Sequence, residues 1–600
     1  MKKKNSFNLA FHHCFFVVSC RLICISGILL FHLIAFGQGI TDLEYNLSKV
    51  PFSRYGSYMS LSTADRDSNG VNELFLYELS GKNAWAFNGV LKIEPTEGKY
   101  IVPVIYEATP IKVEGRTQAG SLTFYFESPD ILHILSNGPG VMMSGELNSS
   151  NTLRIPGIEN TWKLRDSRFV VTIKSGEGSF LDVNRNGVFM LYPDHGQLDI
   201  VIEQYKSDWL PKKYQVTYPE SIESLKQELL KWEKETPSVP SSYQVASTLA
   251  SYINWSCMVK PNGNITRYGM VMSKNWMYNI WSWDNCFNAM SLSYHQPQAS
   301  WDQFMLLFDK QDVTGALPDY VNAHHMVWEF RKPPVHGWIL SKLMEQYTLS
   351  DEQLKEVYKK LSDWTNYWFT YRDGNHNGLP EYYHGNDSGW DNSTAFDVGF
   401  PIEGPDLAAF LVVQMDVLSD IAHKIGRSEE SGMWKQKADE TLNKMIIAFW
   451  DGKKFISKNV FSGENNIQSQ SLMSYLPIIL GERLPEHIRN KMISDLKKPG
   501  YLVTPYGLAS ESPQSKLYDP DGYWRGPIWA PTTFVVIDGL KQLKENDFAS
   551  ELAKRFCDTC NKNGFAENFN ALSGQALRDP AYTWTSSVFL ILAHDYLQGN

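Results

Sequence analysis

The feature that most constrains this chain is a change in hydrophobic period part-way along it. Between about residues 40 and 215 apolar side chains recur at every second position in short runs. "SLTFYFES" (121–128) sets Leu122, Phe124 and Phe126 against Thr123, Tyr125 and Glu127, and "RFVVTIKSG" and "GQLDIVIEQY" are β-branched runs between Gly, Asn and Asp turns. A period of two places alternate side chains on opposite faces of a strand, so many short strands with turn signals predict a β-sandwich. Beyond about residue 243 the period becomes helical. Ser350 and Gln353 form a capping-box pattern, and Leu354, Val357, Tyr358, Leu361, Trp364, Tyr367 and Trp368 follow at i, i+3, i+4 spacing. "PDLAAFLVVQMDVLSDIAHKIG" reads as an apolar helix ended by Gly426, and Trp434, Ala438, Leu442, Met445 and Phe449 mark one face of the next. No strong βαβ alternation appears, and this half is too long for a four-helix bundle. Between the halves, "ESIESLKQELLKWEKETPSVPSS" (220–242) reads as a charged helix and a Pro/Ser linker. The chain exceeds what one hydrophobic core supports. The expected organisation is a β-sandwich domain (38–218), a helical linker (219–242) and an all-α domain (243–600).

The first 37 residues read as an export signal. "MKKK" is a basic start, "FFVVSC" and "ISGILLFHLIAF" are apolar, and "AFGQG" offers small residues for cleavage near Gly37. The protein is therefore expected in the periplasm or outside the cell, with an uncleaved anchor as the alternative because the apolar run is long and interrupted by Arg21. No later segment reaches the roughly 20 apolar residues of a membrane span. Cys14, Cys20 and Cys24 would leave with the signal; Cys257, Cys286, Cys557 and Cys560 are too few for a disulfide framework in so long a chain. "CDTC" (557–560) reads as ordinary helix cysteines, a redox or metal pair being the alternative. The net charge is −10 with no basic cluster after the N-terminus, which excludes nucleic acid as the expected partner. No organic cofactor is expected.

Five loops between the helices of the second half concentrate Trp with carboxylates and amides. They are "WSWDNCFNA" (281–289), "QDVTGALPDYVN" with "KPPVHGW" (311–338), "NDSGWDNS" (386–393), "YWRGPIWAP" (523–531) and "FAENFNALSG" (565–574). Singly, each could be turn chemistry with Trp as packing. Together they predict one sugar pocket, because Trp offers stacking faces while Asp, Asn and Arg grip hydroxyls. The densest, "GNDSGWDNSTAFD" (385–397), could be a solvated loop, a metal cage or half of an acid/base pair.

The wording and order of these loops resemble the inverting exo-α-glycosidases of glycoside hydrolase family 63 and, more distantly, the trehalases of family 37. The likeness covers roughly 250–595. "WSWDNCFNA" resembles the family's Trp-x-Trp-Asp-x-x-Phe loop, "SGWDNS" its general-acid motif, "YWRGPIW" its Tyr-Trp-Arg-Gly-Pro-x-Trp loop and "ENFNALSG" its general-base motif, with Phe569 for the usual tyrosine; "YTWTSS" matches a C-terminal element. The resemblance implies a catalytic (α/α)6 barrel, with Asp391 as general acid and Glu567 as general base, Asp387 and Asp397 shaping the loop. It places substrate contacts at Trp281, Trp283, Asp284, Gly389, Trp390, Tyr523 and Trp524, and at Arg525, which could instead orient Glu567. Inverting hydrolysis needs a protonated carboxyl at the leaving oxygen and an ionised one facing water, roughly 6.5–9.5 Å apart. Burial under Trp390 would raise the pKa of Asp391, as an acid needs. One departure is Lys332, where relatives often have Gln before Pro-Pro, so the sugar stays open.

"DGNHNGLPE" (373–381) places oxygen donors at Asp373, Asn375, Asn377 and Glu381, with the Leu379 carbonyl available, as at the start of a calcium loop. Similar family loops hold structural calcium, so Ca²⁺ is expected; a series of Asx turns is the alternative. "DRDSNGVNE" (65–73) and "DVNRNG" (182–187) repeat the spacing more weakly. The expected activity is exo-hydrolysis of an α-linked oligosaccharide or glycoconjugate, foremost as an α-glucosidase. An α-mannosidase or trehalase-like enzyme is the alternative within the class. Outside it stand a noncatalytic sugar-binding protein and a sugar isomerase or epimerase, whose pocket histidines would have to come from His324, His325, His336 or His384.

Overall fold

The structure, a computed structural model, describes residues 39–64, 73–81, 89–145, 147–183 and 186–598. The expected signal (1–37), most of the 65–73 run and residues 184–185 of the 182–187 run lie outside the described residues. The period-two region forms two antiparallel sheets. One runs, in spatial order, Met59–Ala64, Glu73–Glu78, Gly89–Glu97, Gly140–Gly145, Asn186–Tyr192 and Glu177–Val183. The other runs Thr152–Arg154, Thr161–Leu164, Phe169–Ser175, Gln197–Gln204, Ile131–Asn137, Gly120–Ser128, Val113–Thr117 and Ile105–Ala108. Leu61, Leu76, Ile93 and Phe189 of the first sheet share one buried core with Leu122, Phe124, Phe126, Ile134 and Ile200 of the second. Tyr125 keeps to the alternation. It lies on the opposite face and is nevertheless buried, stacked on His133 at 4.8 Å and edge-on to Tyr218 at 4.9 Å, because a helix covers that face.

That helix is α1 (Tyr218–Lys234). It is followed by α2 (Gln244–Cys257), α3 (Asp284–Leu292), α4 (Pro297–Met305), α5 (His336–Gln346), α6 (Asp351–Tyr371), α7 (Pro405–Lys424), α8 (Ser428–Phe449), α9 (Glu486–Leu496), α10 (Ala530–Gln542), α11 (Asn546–Asn563) and α12 (Thr583–Leu597), with a 3-10 segment at Leu472–Arg483. Two kinds of helix alternate. α3, α7, α10 and α12 bury nearly every side chain, whereas α6, α8 and α11 bury one face and carry charges on the other. Helices apolar all round belong inside and amphipathic ones outside. α3 packs on α5, α5 on α7, α7 on the 3-10 segment, that segment on α10, α10 on α12 and α12 on α3. The Ser350 cap forms as the spacing predicts, accepting from the Gln353 amide at 3.2 Å. Cys557 and Cys560 are free and buried in the apolar face of α11.

The two halves interlock. Arg54 pairs with Glu228 of α1 and donates to the carbonyls of Phe126 and Glu127. Lys274 is fully buried, donates to Ser53 Oγ (3.0 Å) and the Ser57 carbonyl (2.6 Å), and burial pulls it down to about 7. Asn275 Nδ2 reaches the Lys49 carbonyl at 3.0 Å, so the N-terminal segment braces the loop that leads into α3.

Candidate active site

Each of the five loops leads into or precedes α3, α5, α7, α10 or α12; four of them line one cavity of about 380 Å³, and the fifth, 565–574, lies against Tyr523 and Trp584 of its lining. Its floor is buried and aromatic, with Trp281, Trp283, Trp524 and Trp584 around Asp284, Asp319 and Lys332. Its mouth is formed by the more exposed Met277, Val327, Glu329, Phe330 and Asn386.

Asp391 reaches this cavity by way of a turn that only glycine can make. Gly389 has φ +74°, and a Cβ there would lie 2.6 Å from the Trp283 ring. Trp390 turns inward and packs on Trp524 at 4.7 Å, leaving Asp391 at the cavity wall. Burial raises the Asp391 carboxyl, opposed by the nearby Lys332 ammonium. Glu567 lies deeper. Tyr523 Oη donates to its Oε1 at 3.0 Å, Trp584 Nε1 to its carbonyl at 3.1 Å, and its own amide to the Asp579 carbonyl at 2.8 Å. Burial and then the Asp579 carboxylate push Glu567 up to about 8, against the Tyr523 hydroxyl that lowers it. Tyr523 holds an uncommon left-handed backbone (φ +63°), pinned by Trp529 Nε1 donating to its carbonyl at 3.0 Å. Burial, Glu567 and then Asp391 all push its phenol up, which places the tyrosine within the field of both carboxyls.

The floor carries a second charged group. Lys332 Nζ donates to the Asn386 carbonyl at 2.9 Å and lies 3.3 Å from Asp319 Oδ1. Burial would lower the lysine, but Asp319, Asp391 and Asp284 outweigh it and hold it charged. Burial raises Asp284 well above the usual carboxylate range. The arrangement sets aromatic faces and carboxylate acceptors around one cavity, with Asp391 on its wall and Glu567 hydrogen-bonded to the lining Tyr523.

The family model for the mannosylglycerate hydrolase MGH1-like glycoside hydrolase domain matches residues 277–585, just over half of the chain. The chain belongs to this family. It is a glycoside hydrolase, and its relatives place it with family 63. A mannosylglycerate hydrolase of Rubrobacter radiotolerans is 21% identical over 400 residues, 52% of this chain and 89% of that protein. A glucosylglycerate hydrolase of Mycolicibacterium hassiacum is 19% identical, over 52% of this chain and 91% of its own. Among solved structures, a bacterial glucoamylase complexed with acarbose shares the fold over 94% of this chain and 96% of its own (TM-score 0.58, 12% identity). A family 63 mannosylglycerate hydrolase of Thermus thermophilus complexed with glucose covers 57% of this chain and 99% of its own (TM-score 0.51, 19% identity).

In this glycoside hydrolase Trp281, Trp283, Asp284, Gly389, Asp391, Tyr523 and Trp524 all line the cavity, and Glu567 joins through Tyr523. Two candidates do not. Trp390 is 1% exposed and serves as packing behind Asp391. Arg525 turns away, donating to the Asn392 carbonyl at 2.7 Å and pairing with Asp397 at 2.5 Å, because that carboxylate lies on its side of the loop. It therefore neither lines the cavity nor orients Glu567. Asp387 accepts from Arg372, the Arg331 amide and the amides of Tyr383 and His384, all within 3.1 Å, which fixes the loop. His336 is buried in α5 among Phe304, Phe308 and Trp364, not in the pocket. The sequence reading missed Asp319, Glu329, Phe330, Tyr582 and Asp579. "LPDYVN" signalled the first, and nothing local signalled the last.

The 373–381 loop closes on itself. Asp373 accepts from the amides of Asn377 (3.1 Å) and Gly378 (3.0 Å), and Glu381 from that of Gly374 (3.1 Å). Glu403, paired across the strands with Glu381, accepts from the side-chain amides of Asn375 and Asn377 at 2.7 Å each. Burial raises Glu381, with Glu403 and Asp373 adding to it. The carboxylate, amide and carbonyl oxygens of the loop are the donor chemistry calcium takes. Among the described residues no three His, Cys, Asp or Glu side chains cluster closely enough to hold a metal by themselves, so the amide oxygens and the Leu379 carbonyl would have to contribute.

Proposed function

We propose that the chain is an exo-acting, inverting α-glycosidase, foremost an α-glucosidase, that removes the terminal sugar of an α-linked oligosaccharide or glycoconjugate. The observation that carries this is a small aromatic cavity with Asp391 on its wall and Glu567 held by the lining Tyr523. The closed round of packing from α3 through α5, α7, the 3-10 segment, α10 and α12 supports an (α/α)6 barrel around it. In the reaction, Asp391 passes its proton to the glycosidic oxygen as the anomeric carbon–oxygen bond breaks. Glu567 takes a proton from water, whose oxygen attacks the anomeric carbon from the opposite face. Asp391 leaves the step ionised, Glu567 protonated, and the sugar inverted.

A reversed assignment, Glu567 as acid and Asp391 as base, is favoured by the position of Glu567 at about 8. An α-mannosidase is favoured by the names of the mannosylglycerate hydrolases. Leaving-group dependence separates the two assignments. Asp391→Asn and Glu567→Gln should each lose on the order of 10²–10⁴ in rate on a natural glycoside. On a glycosyl fluoride, which needs little protonation, Asp391→Asn should recover and Glu567→Gln should not; the opposite pattern reverses the roles. Asp387→Asn retaining less activity than Asp391→Asn on the natural glycoside would refute both. We further propose that Asp373, Asn375, Asn377, Leu379 and Glu381, joined by Glu403, hold a structural Ca²⁺ that takes no part in the chemistry. The basic and apolar N-terminus supports export. No helix of the described residues is long and apolar enough to cross a membrane.

A further inference from the structure

The cavity distributes charge unevenly between floor and mouth. Its lining holds Asp284, Asp319, Glu329 and Asp391 but one cation, Lys332. That lysine is already committed to Asp319 and the Asn386 carbonyl. The arginines nearby are turned elsewhere. Arg331 donates to Tyr367 Oη (2.9 Å) and to the carbonyls of Trp328 and Phe330. Arg372 pairs with Asp387, Arg525 with Asp397 and Arg578 with Asp521. With Lys332 charged, the lining is net negative whenever at least two of these four carboxyls are ionised. At the mouth, where the leaving group must sit, the charged lining group is Glu329, exposed and without an ion-pair partner among the described residues, beside the half-exposed face of Phe330.

We propose that the natural substrate is an uncharged α-glycoside whose leaving group is itself a neutral sugar or polyol. Phe330 would offer that group an apolar face and Glu329 would accept its hydroxyl protons. An anionic aglycone such as glycerate would meet the Glu329 carboxylate. If it recruited Lys332 instead, it would strip Asp319 of its counter-ion in a buried site, a costly exchange. This inference rests on the glycosidase reading and narrows it to a substrate class.

The test uses a matched pair differing only in charge, α-glucosylglycerol against α-glucosylglycerate, repeated with the mannosyl pair. We expect kcat/KM to favour the neutral member at least about tenfold, as a like charge built against the wrong partner gives. Added salt should narrow the gap. Glu329→Lys should raise the ratio of glycerate to glycerol conjugate hydrolysis. Equal rates, a preference for the glycerate conjugate, or an unmoved ratio in Glu329→Lys would overturn the proposal. Silence on every glycoside would sink the glycosidase reading instead. The charge preference would then be read from tryptophan-fluorescence titration with the same pair, and tighter binding of the anion would overturn it.

Discussion

The carboxylate beneath Glu567 offers a perturbation whose sign and size follow from the structure. Asp579 is fully buried and accepts hydrogen bonds from Ser273 Oγ (2.5 Å), Asn275 Nδ2 (2.9 Å) and the Ala581 amide (3.1 Å). Burial raises it, while the Ser273 and Asn275 bonds favour its charged form. Its charge is the second cause, after burial, of the rise of Glu567 to about 8; Arg578 and the Tyr523 hydroxyl act the other way, and Asp284 faces the same space. Two like charges ~6 Å apart at an effective dielectric of ~20 repel by about 3 kcal/mol. Since ~1.4 kcal/mol moves a titration by one pH unit, Asp579→Asn should lower the acidic limb of kcat/KM by roughly one to two pH units. The plateau should fall as well, because a less basic carboxylate activates water less well. Stability gives an independent readout. A carboxyl whose folded pKa is raised contributes stability that is fully present below its unfolded value and lost as pH rises through the folded value, here about 8. The Tm of Asp579→Asn should therefore fall less between pH 6 and pH 9 than that of the unaltered protein. A limb that stays in place or moves up while the variant remains folded would refute this reasoning.

Two further outcomes are expected. Chelation should lower Tm, since an ion bound only to the folded state stabilises it by mass action, and activity should be lost only with structure; no metal in elemental analysis together with an unchanged Tm would count against the calcium loop. Mass spectrometry of protein recovered from its native cell should find a new N-terminus near Gly37, whereas an intact Met1 on a cytoplasmic protein would contradict export.

The fold classes were legible because period is a local property: Leu122, Phe124 and Phe126 alternate, and Val357, Leu361, Trp364 and Trp368 repeat at helical spacing, whatever the rest of the chain does. The burial of Tyr125 on the other face was not legible, because a helix nearly a hundred residues downstream covers it. The position of Asp391 at the cavity wall was legible because Gly389 and Trp390 beside it carry its geometry, whereas Glu567 is held by Tyr523 and Trp584 from other segments. Asp319, Glu329 and Phe330 were less so, since short pairings such as Ile280–Trp281 with Tyr320–Val321 bring them to the pocket. Arg525 was misplaced because its neighbours in sequence belong to the site while its partner Asp397 comes from another loop. Asp579 and Glu403 gave no signal at all, each acting through a strand or backbone pairing that only tertiary structure supplies.

The central claim is that Asp391 and Glu567 act across a water molecule in one inverting step. Proton NMR of the first sugar released from an α-linked disaccharide, recorded before mutarotation, tests it most directly. The β-anomer is the predicted product, and initial release of the α-anomer would contradict the account.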